Sequence, residues 1–218
     1  LEVLVFIGVS GLIGVGKSTL TKGLAEYLGE HWLSMYEPVE TNPYLEDFYE
    51  DISRWTFNMQ MFLLAKRFEQ HQEVLWNPVH RLGGGVVQDR TIYEDTIFAR
   101  MHKDQGLMDE RDWDTYISHF QVMQGFLRYP DVILYLRCEP ELALERVGTR
   151  ARDAEKGLSL DYMKQLYDGY EEFAEEMQRY TVVVPIDWSY FHTMEYVANA
   201  IRGAVEKDQK FLRSLRRI

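Results

Sequence analysis

Gly11-Leu12-Ile13-Gly14-Val15-Gly16-Lys17-Ser18, continued by Thr19, is the stretch whose reading decides this chain. It fits G-x-x-x-x-G-K-[ST], a phosphate-binding loop. The glycines let the backbone turn tightly, so successive N–H groups can face phosphate oxygens. Lys17 would then reach the β- and γ-phosphates of a nucleoside triphosphate, with the Ser18 hydroxyl on a Mg²⁺ ion. The bland reading, a glycine-rich turn without a ligand, is weakened by what flanks the loop. Val3 to Val9 is a nearly unbroken apolar run, the pattern of a buried parallel strand. Beyond the loop, Leu20, Leu24 and Leu28 recur every four residues, and Gly29 follows where a helix C-terminus favours glycine. Strand, loop and helix in that order bring a helix N-terminal dipole to the phosphates.

A chain of 218 residues suits one domain with a substantial core. Hydrophobic residues make up 46%, and no apolar stretch is long enough to span a bilayer, so no membrane partner is expected. The single cysteine, Cys138, excludes an internal disulfide framework and agrees with a reducing, cytoplasmic compartment; no signal peptide is visible. A formal net charge of −11 argues against a nucleic-acid partner. Because a nucleotide is itself a polyanion, the few cations must be concentrated at the site. The basic tail, Lys207, Lys210, Arg213, Arg216 and Arg217, reads as a solvated helix end.

Four further strands are expected: Trp32 to Tyr36, Val86 to Arg90, Asp131 to Arg137 and Val182 to Ile186. Pro185 places the last at a sheet edge. Helices are expected over Trp55–Trp76, Thr91–His102 and about Asp109–Leu127. Another follows Pro140, a further one carries the stripe Met163, Leu166, Tyr170, Phe173, Met177, and a last is marked by Val197, Ile201 and Val205. Thr41 to Arg54 is acidic and aromatic, with Asn42-Pro43 as a breaker. Strands alternating with helices give an α/β domain with a five-stranded parallel sheet flanked by helices.

Ligands of such sheets collect outside the carboxyl ends of the strands. The second strand ends in Glu37 and the third in Asp89-Arg90. Phosphoryl transfer needs positioning, charge neutralisation and a carboxylate to take the acceptor's proton. Glu37 is the candidate base, Arg90 its orienting cation, and Asp89 a Mg²⁺ ligand, direct or through water. Arg146 and Arg150 share a helix face and Arg152 lies just beyond. An arginine-rich helix end alone makes weak surface pairs; beside a nucleotide it reads as a lid, about residues 146–157, that closes over phosphates.

Gly11–Ser18, Glu37-Pro38-Val39, Asp89-Arg90-Thr91 and Arg146-x-x-x-Arg150-x-Arg152-x-x-Glu155 stand in the order found in deoxynucleoside kinases, and the chain resembles that family over nearly its whole length. Glu37 to Leu45 and Asp89 to Phe98 look most like the bacterial-type deoxyadenosine and deoxyguanosine kinases. The resemblance implies a P-loop kinase fold, ATP-dependent phosphorylation of a deoxynucleoside 5′-hydroxyl, and a homodimer formed through helices. By residue it implies Glu37 as base, Arg90 beside it, and Arg146, Arg150 and Arg152 as lid arginines. It further implies Tyr49 and Glu155 on the 3′-hydroxyl, and Gln60, Arg67 and Asp95 on the base of deoxycytidine or a purine deoxynucleoside. A Gln amide can pair bidentately with a base edge, and an Arg–Asp pair adds fixed donors and acceptors. Phe98 could stack on the base or pack in the core; Trp55, Phe57 and Phe62 read as core or pocket wall.

Two departures stand out. Asp89 replaces the Glu of many members with a shorter arm, and Ala154 precedes Glu155 where relatives often carry paired acids. One competing reading is a nucleoside monophosphate kinase of the thymidylate type, which usually follows Glu-Pro with glycines rather than Val39-Glu40. The acidic run from Glu37 to Asp51 is also a poor seat for a substrate phosphate. Another is a catalytically silent relative, but Lys17, Glu37 and Arg90 are all present. One amide flip at Gln60 reverses its donor and acceptor, so adenine and guanine are both open.

Overall fold

A computed structural model describes residues 5–37, 42–76, 84–150 and 157–215. Five strands form one parallel sheet: β1 (Val5–Gly11), β2 (Trp32–Met35), β3 (Gly85–Asp89), β4 (Val132–Arg137) and β5 (Val182–Asp187). Their order is β2-β3-β1-β4-β5, every neighbouring pair parallel. The apolar run of β1 occupies the centre, which is why six of its seven residues are buried. β5 lies at an edge, as Pro185 requires, with Val184 and Ile186 turned inward.

Eight α-helices connect and cover the strands among the described residues: α1 (Lys17–Leu28), α2 (Leu45–Glu50), α3 (Ile52–Trp76), α4 (Asp95–Asp104), α5 (Glu110–Gln124), α6 (Pro140–Arg150), α7 (Leu160–Met177) and α8 (Met194–Leu215). Gly29 closes α1 at φ 114°, its N–H on the Ala25 carbonyl at 3.2 Å. Asp109 caps α5 by accepting from the Asp112 N–H at 2.9 Å, and Ser159 caps α7 by accepting from Tyr162 at 3.1 Å.

Several boundaries differ from the sequence expectation. β1 runs two residues further, to Gly11, because Ser10 and Gly11 continue the ladder onto Tyr135 and Leu136 of β4. Glu37 lies past the end of β2 rather than in it. The acidic aromatic segment holds α2 and the first turn of α3; α2 is six residues long and buries only Phe48, too short to show a period. The helix expected from Thr91 begins as a 3₁₀ turn at Ile92–Glu94.

The register places the site. Val9 pairs with Asp89, Gly11 with Leu136 and Met35 with Gln88. The phosphate loop, Glu37 and Asp89-Arg90 therefore leave the sheet at the carboxyl ends of its strands. Helix α3 then supplies Gln60, Leu64, Arg67, His71 and Val74 from one buried stripe. Three of those five are polar, a departure from core chemistry.

Candidate active site

The phosphate loop is built by backbone conformations that side chains resist. Gly14 has φ +80°, and a Cβ there would lie 2.5 Å from Val147 Cγ2 and 2.7 Å from the Ala143 carbonyl oxygen of α6. Gly16, at φ +106°, opens α1 in the left-handed region. Lys17 begins the helix and folds over the loop, its Nζ donating to the carbonyls of Leu12 at 2.7 Å and Gly11 at 3.1 Å. Burial, with Arg90 adding to it, lowers the Lys17 pKa to about 8 against the pull of Asp89, Glu37 and Glu94.

Ser18 Oγ donates to Asp89 Oδ2 across the carboxyl ends of β1 and β3. The other carboxylate oxygen, Oδ1, is buried with no hydrogen-bond partner among the described residues. A hydroxyl paired with a carboxylate that keeps one free buried oxygen fits a Mg²⁺ ion, which takes one or two protein oxygens and completes its shell with water and phosphate. The shorter arm of Asp89 thus reaches Ser18 directly.

Glu37 stands between two arginines. Arg67 Nη2 donates to its Oε1, and Arg90 Nε lies 3.3 Å from its Oε2. Burial pushes its pKa up, but Arg90, Arg67 and Lys17 together pull it down to about 2. Arg67 also donates through Nη1 to Asp95 Oδ1, so one buried guanidinium joins the carboxylate after β2 to the one opening α4. Arg90 is the one described residue other than glycine with a positive φ, 63°. Its Nη1 donates to the Tyr170 hydroxyl and lies 3.4 Å from Glu94 Oε2, while its guanidinium sits 4.8 Å from the Phe98 ring centre. Glu94 is fully buried. It accepts from Ser10 Oγ at 2.8 Å, the Thr91 N–H at 2.9 Å and Tyr170 OH at 2.8 Å.

Lys17, Ser18, Glu37, Arg67, Asp89 and Arg90 face one cavity of about 990 Å³. The phosphate loop contributes Ile13, Gly14, Gly16, Lys17, Ser18 and Thr19; Gly11, Leu12 and Val15 lie behind it. Glu37, Tyr49, Gln60, Arg67, Asp89, Arg90, Phe98 and Arg146 also line it, whereas Asp95 stands behind Arg67. Arg146 is tied to the β5–α8 loop, donating to the carbonyls of Trp188 and Ser189 at 2.9 Å each, with its guanidinium 4.8 Å from the Phe191 ring centre. The Arg150 side chain, Arg152 and Glu155 lie outside the described residues. Trp55 and Phe62 pack around Tyr44 at 5.8 and 6.1 Å and stay out of the cavity.

Sequence reasoning missed Glu94 and Tyr170, which brace Arg90, and His102, which lines the cavity beside Gln60. Tyr170 was hidden in the apolar stripe of α7. The signal available for Glu94 was its place one residue before Asp95 in a segment that is buried throughout.

A phosphate loop, a carboxylate held by two arginines and a neighbouring polar-floored pocket, all at the carboxyl ends of the strands, define a phosphotransferase that acts on a small hydroxylated substrate. The comparisons give the family: residues 7–209 match the deoxynucleoside kinase family, and the chain belongs to it. It is 44% identical to a deoxyadenosine kinase of Dictyostelium discoideum over 92% of this chain and 79% of that one. It is 45% identical to a deoxyadenosine/deoxycytidine kinase of Bacillus subtilis over 77% and 75%. A solved deoxyadenosine kinase from M. mycoides with bound dATP superposes with a TM-score of 0.77 at 28% identity, covering 90% of this chain and 98% of that one. The chain is a transferase that phosphorylates a nucleoside 5′-hydroxyl.

Proposed function

We propose that this kinase transfers the γ-phosphoryl group of Mg·ATP to the 5′-hydroxyl of deoxyadenosine in preference, with deoxycytidine second. The observation that carries the reading is the seating of Glu37 between Arg67 and Arg90 in the cavity that also holds Lys17 and Gln60. The relatives that act on deoxyadenosine and deoxycytidine support the choice of base.

Glu37 accepts the 5′-hydroxyl proton as the hydroxyl oxygen bonds to the γ-phosphorus and the β–γ bridging oxygen leaves with ADP. A carboxylate with a pKa near 2 is a weak base. In a loose transition state the hydroxyl becomes acidic only as its bond to phosphorus forms, so Glu37 mainly orients it and takes the proton late. Lys17, Arg90 and the loop N–H groups balance charge on the transferring phosphoryl. Ser18 and Asp89 would hold Mg²⁺, which would supply positive charge to neutralise the donor phosphates. Gln60 meets the base edge, and Tyr49 with Glu155 meets the 3′-hydroxyl. Arg146, Arg150 and Arg152 serve the donor phosphates from a lid over residues 146–157 of one catalytic domain spanning 1–218. A homodimer is also part of this reading: Val122 and Phe126 at the α5 end, 63% and 70% exposed, offer an apolar face.

An ADP-release assay with Mg·ATP against the four deoxynucleosides and their monophosphates tests the proposal. Turnover on deoxyadenosine with little on monophosphates is expected; turnover confined to a monophosphate would contradict it.

A further inference from the structure

We infer that Ser10 is a positioning residue for phosphoryl transfer: through the buried Glu94 carboxylate it holds the phosphate loop in register with Arg90, and so sets the donor phosphate against the acceptor hydroxyl. The inference rests on the reading above, in which the loop holds the donor while Glu37 and Arg90 meet the 5′-hydroxyl.

Ser10 immediately precedes Gly11, where the loop begins, and is fully buried. A hydroxyl in the central strand of the sheet costs free energy unless it is bonded. Its partner lies 84 positions away: Ser10 Oγ donates to Glu94 Oε1 at 2.8 Å. The backbone ladder between β1 and β3 stops just short of this point. Its last pair is Val9 with Asp89, and the Arg90 N–H donates to the Val9 carbonyl at 3.0 Å. Past that rung, β1 leads into the phosphate loop and β3 into the turn that carries Arg90. The Ser10–Glu94 bond continues the tie with side chains where the ladder between these two strands has ended.

Glu94 divides its oxygens between two tasks. Oε1 accepts from Ser10 and from the Thr91 N–H at 2.9 Å, which fixes it to the ends of β1 and β3. Oε2 accepts from the Tyr170 hydroxyl at 2.8 Å and lies 3.4 Å from Arg90 Nη1. A carboxylate is planar, so a shift of Ser10 that turns one oxygen moves the other, and Arg90 with it. Plain core packing at position 10 would be served by an apolar side chain, and a fully buried carboxylate is a costly brace. Alignment is what phosphoryl transfer demands: the attacking and leaving oxygens lie roughly in line, and a misplacement of about 1 Å can lower the rate about 10²-fold.

The test measures kcat in the parent, Ser10→Ala, Glu94→Gln, Arg90→Lys and the Ser10→Ala/Arg90→Lys double variant. Calorimetry gives the Kd for deoxyadenosine and for Mg·ATP, each alone, and urea unfolding gives stability. Ser10→Ala is expected to lower kcat about tenfold or more, with both Kd values within about threefold of the parent, because each half of the site stays intact. In the Arg90→Lys background the same change should cost less than about threefold in kcat, since its route of action is already lost. Glu94→Gln keeps the shape but turns an amide N–H₂ toward either the Thr91 N–H or Arg90, and should lower kcat at least as much as Ser10→Ala. A parent-like kcat in Ser10→Ala overturns the inference, even where stability falls, since the bond would then be structural only. So does a kcat loss matched by an equal loss in either Kd, or a full tenfold loss in the Arg90→Lys background. If the parent turns over no deoxynucleoside, or Arg90→Lys keeps the parent kcat, the underlying reading fails instead.

Discussion

Arg90 Nε stands 3.3 Å from Glu37 Oε2, and the arginine that makes this approach does so from a backbone φ of 63°. A non-glycine residue in that region costs on the order of 1–3 kcal/mol and persists only where its surroundings hold it. Here the hold is the Glu94–Tyr170–Ser10 network, with Phe98 beneath the guanidinium. The fold stabilises a strained residue to bring a cation against a carboxylate at the carboxyl ends of the strands.

Tyr170→Phe tests that bracing. The phenol accepts from Arg90 and donates to Glu94, so its loss leaves two buried charged groups each short of one bond. The expected destabilisation is about 1–3 kcal/mol, read by urea unfolding, with kcat about tenfold lower and the deoxynucleoside KM changed less than kcat. Parent-like kcat and stability would show that Arg90 needs no such support.

Arg67 offers a second test, because it serves Glu37 and Asp95 at once. Arg67→Met leaves Asp95 as a buried unpaired carboxylate and is expected to cost about 3–5 kcal/mol. Adding Asp95→Ala removes the orphaned charge, so the double variant should be more stable than the single one while discriminating less between bases. A double variant that is less stable than Arg67→Met, or keeps its base preference, would contradict the assignment.

Gly14→Ala addresses the loop. A methyl there must enter the space of Val147 Cγ2 and the Ala143 carbonyl at φ +80°. Relief requires α6, which carries Arg146, to move. The KM for ATP is expected to rise about tenfold or more while the Kd for deoxyadenosine stays near the parent value, read by kinetics and calorimetry. An unchanged KM for ATP would show that the loop tolerates the shift.

The sheet was legible because each strand is a short apolar run closed by charged or turn residues, and the phosphate loop dictates strand before and helix after. That Gln60 and Arg67 line the cavity was legible through resemblance, and in retrospect through physics, since they place polar groups in a buried stripe of α3. Glu94, Tyr170 and His102 were not, because their meaning is tertiary. Glu94 looks like any acid near a helix start until Ser10, 84 positions away, donates to it. Arg146 had the sequence of a lid residue, yet its partners are carbonyls of the β5–α8 loop, which no spacing within α6 reveals.

Acid sensitivity follows from His71 and His102, whose pKa values burial lowers to about 4. Between about pH 6.5 and pH 4 the unfolded chain binds protons that the folded chain refuses, so stability falls as pH falls through that window. Each histidine accounts for about 2 kcal/mol between pH 7.5 and pH 5. Glu37, with its pKa lowered, acts only below about pH 4.5, so it does not confuse the reading. His71→Gln should remove about half of the loss measured by urea unfolding at the two pH values; a parent-like loss would show that His71 already titrates normally.

The measurement that bears most directly on Glu37 is Glu37→Gln, with kcat from ADP release and the Kd for deoxyadenosine from calorimetry. A Gln keeps the shape and can still hydrogen-bond but cannot take the proton. The expected result is a kcat lower by about 10²–10⁴ with Kd within a few-fold of the parent. A parent-like kcat, or a loss that appears wholly in Kd, would contradict the role of Glu37 as the group that receives the 5′-hydroxyl proton.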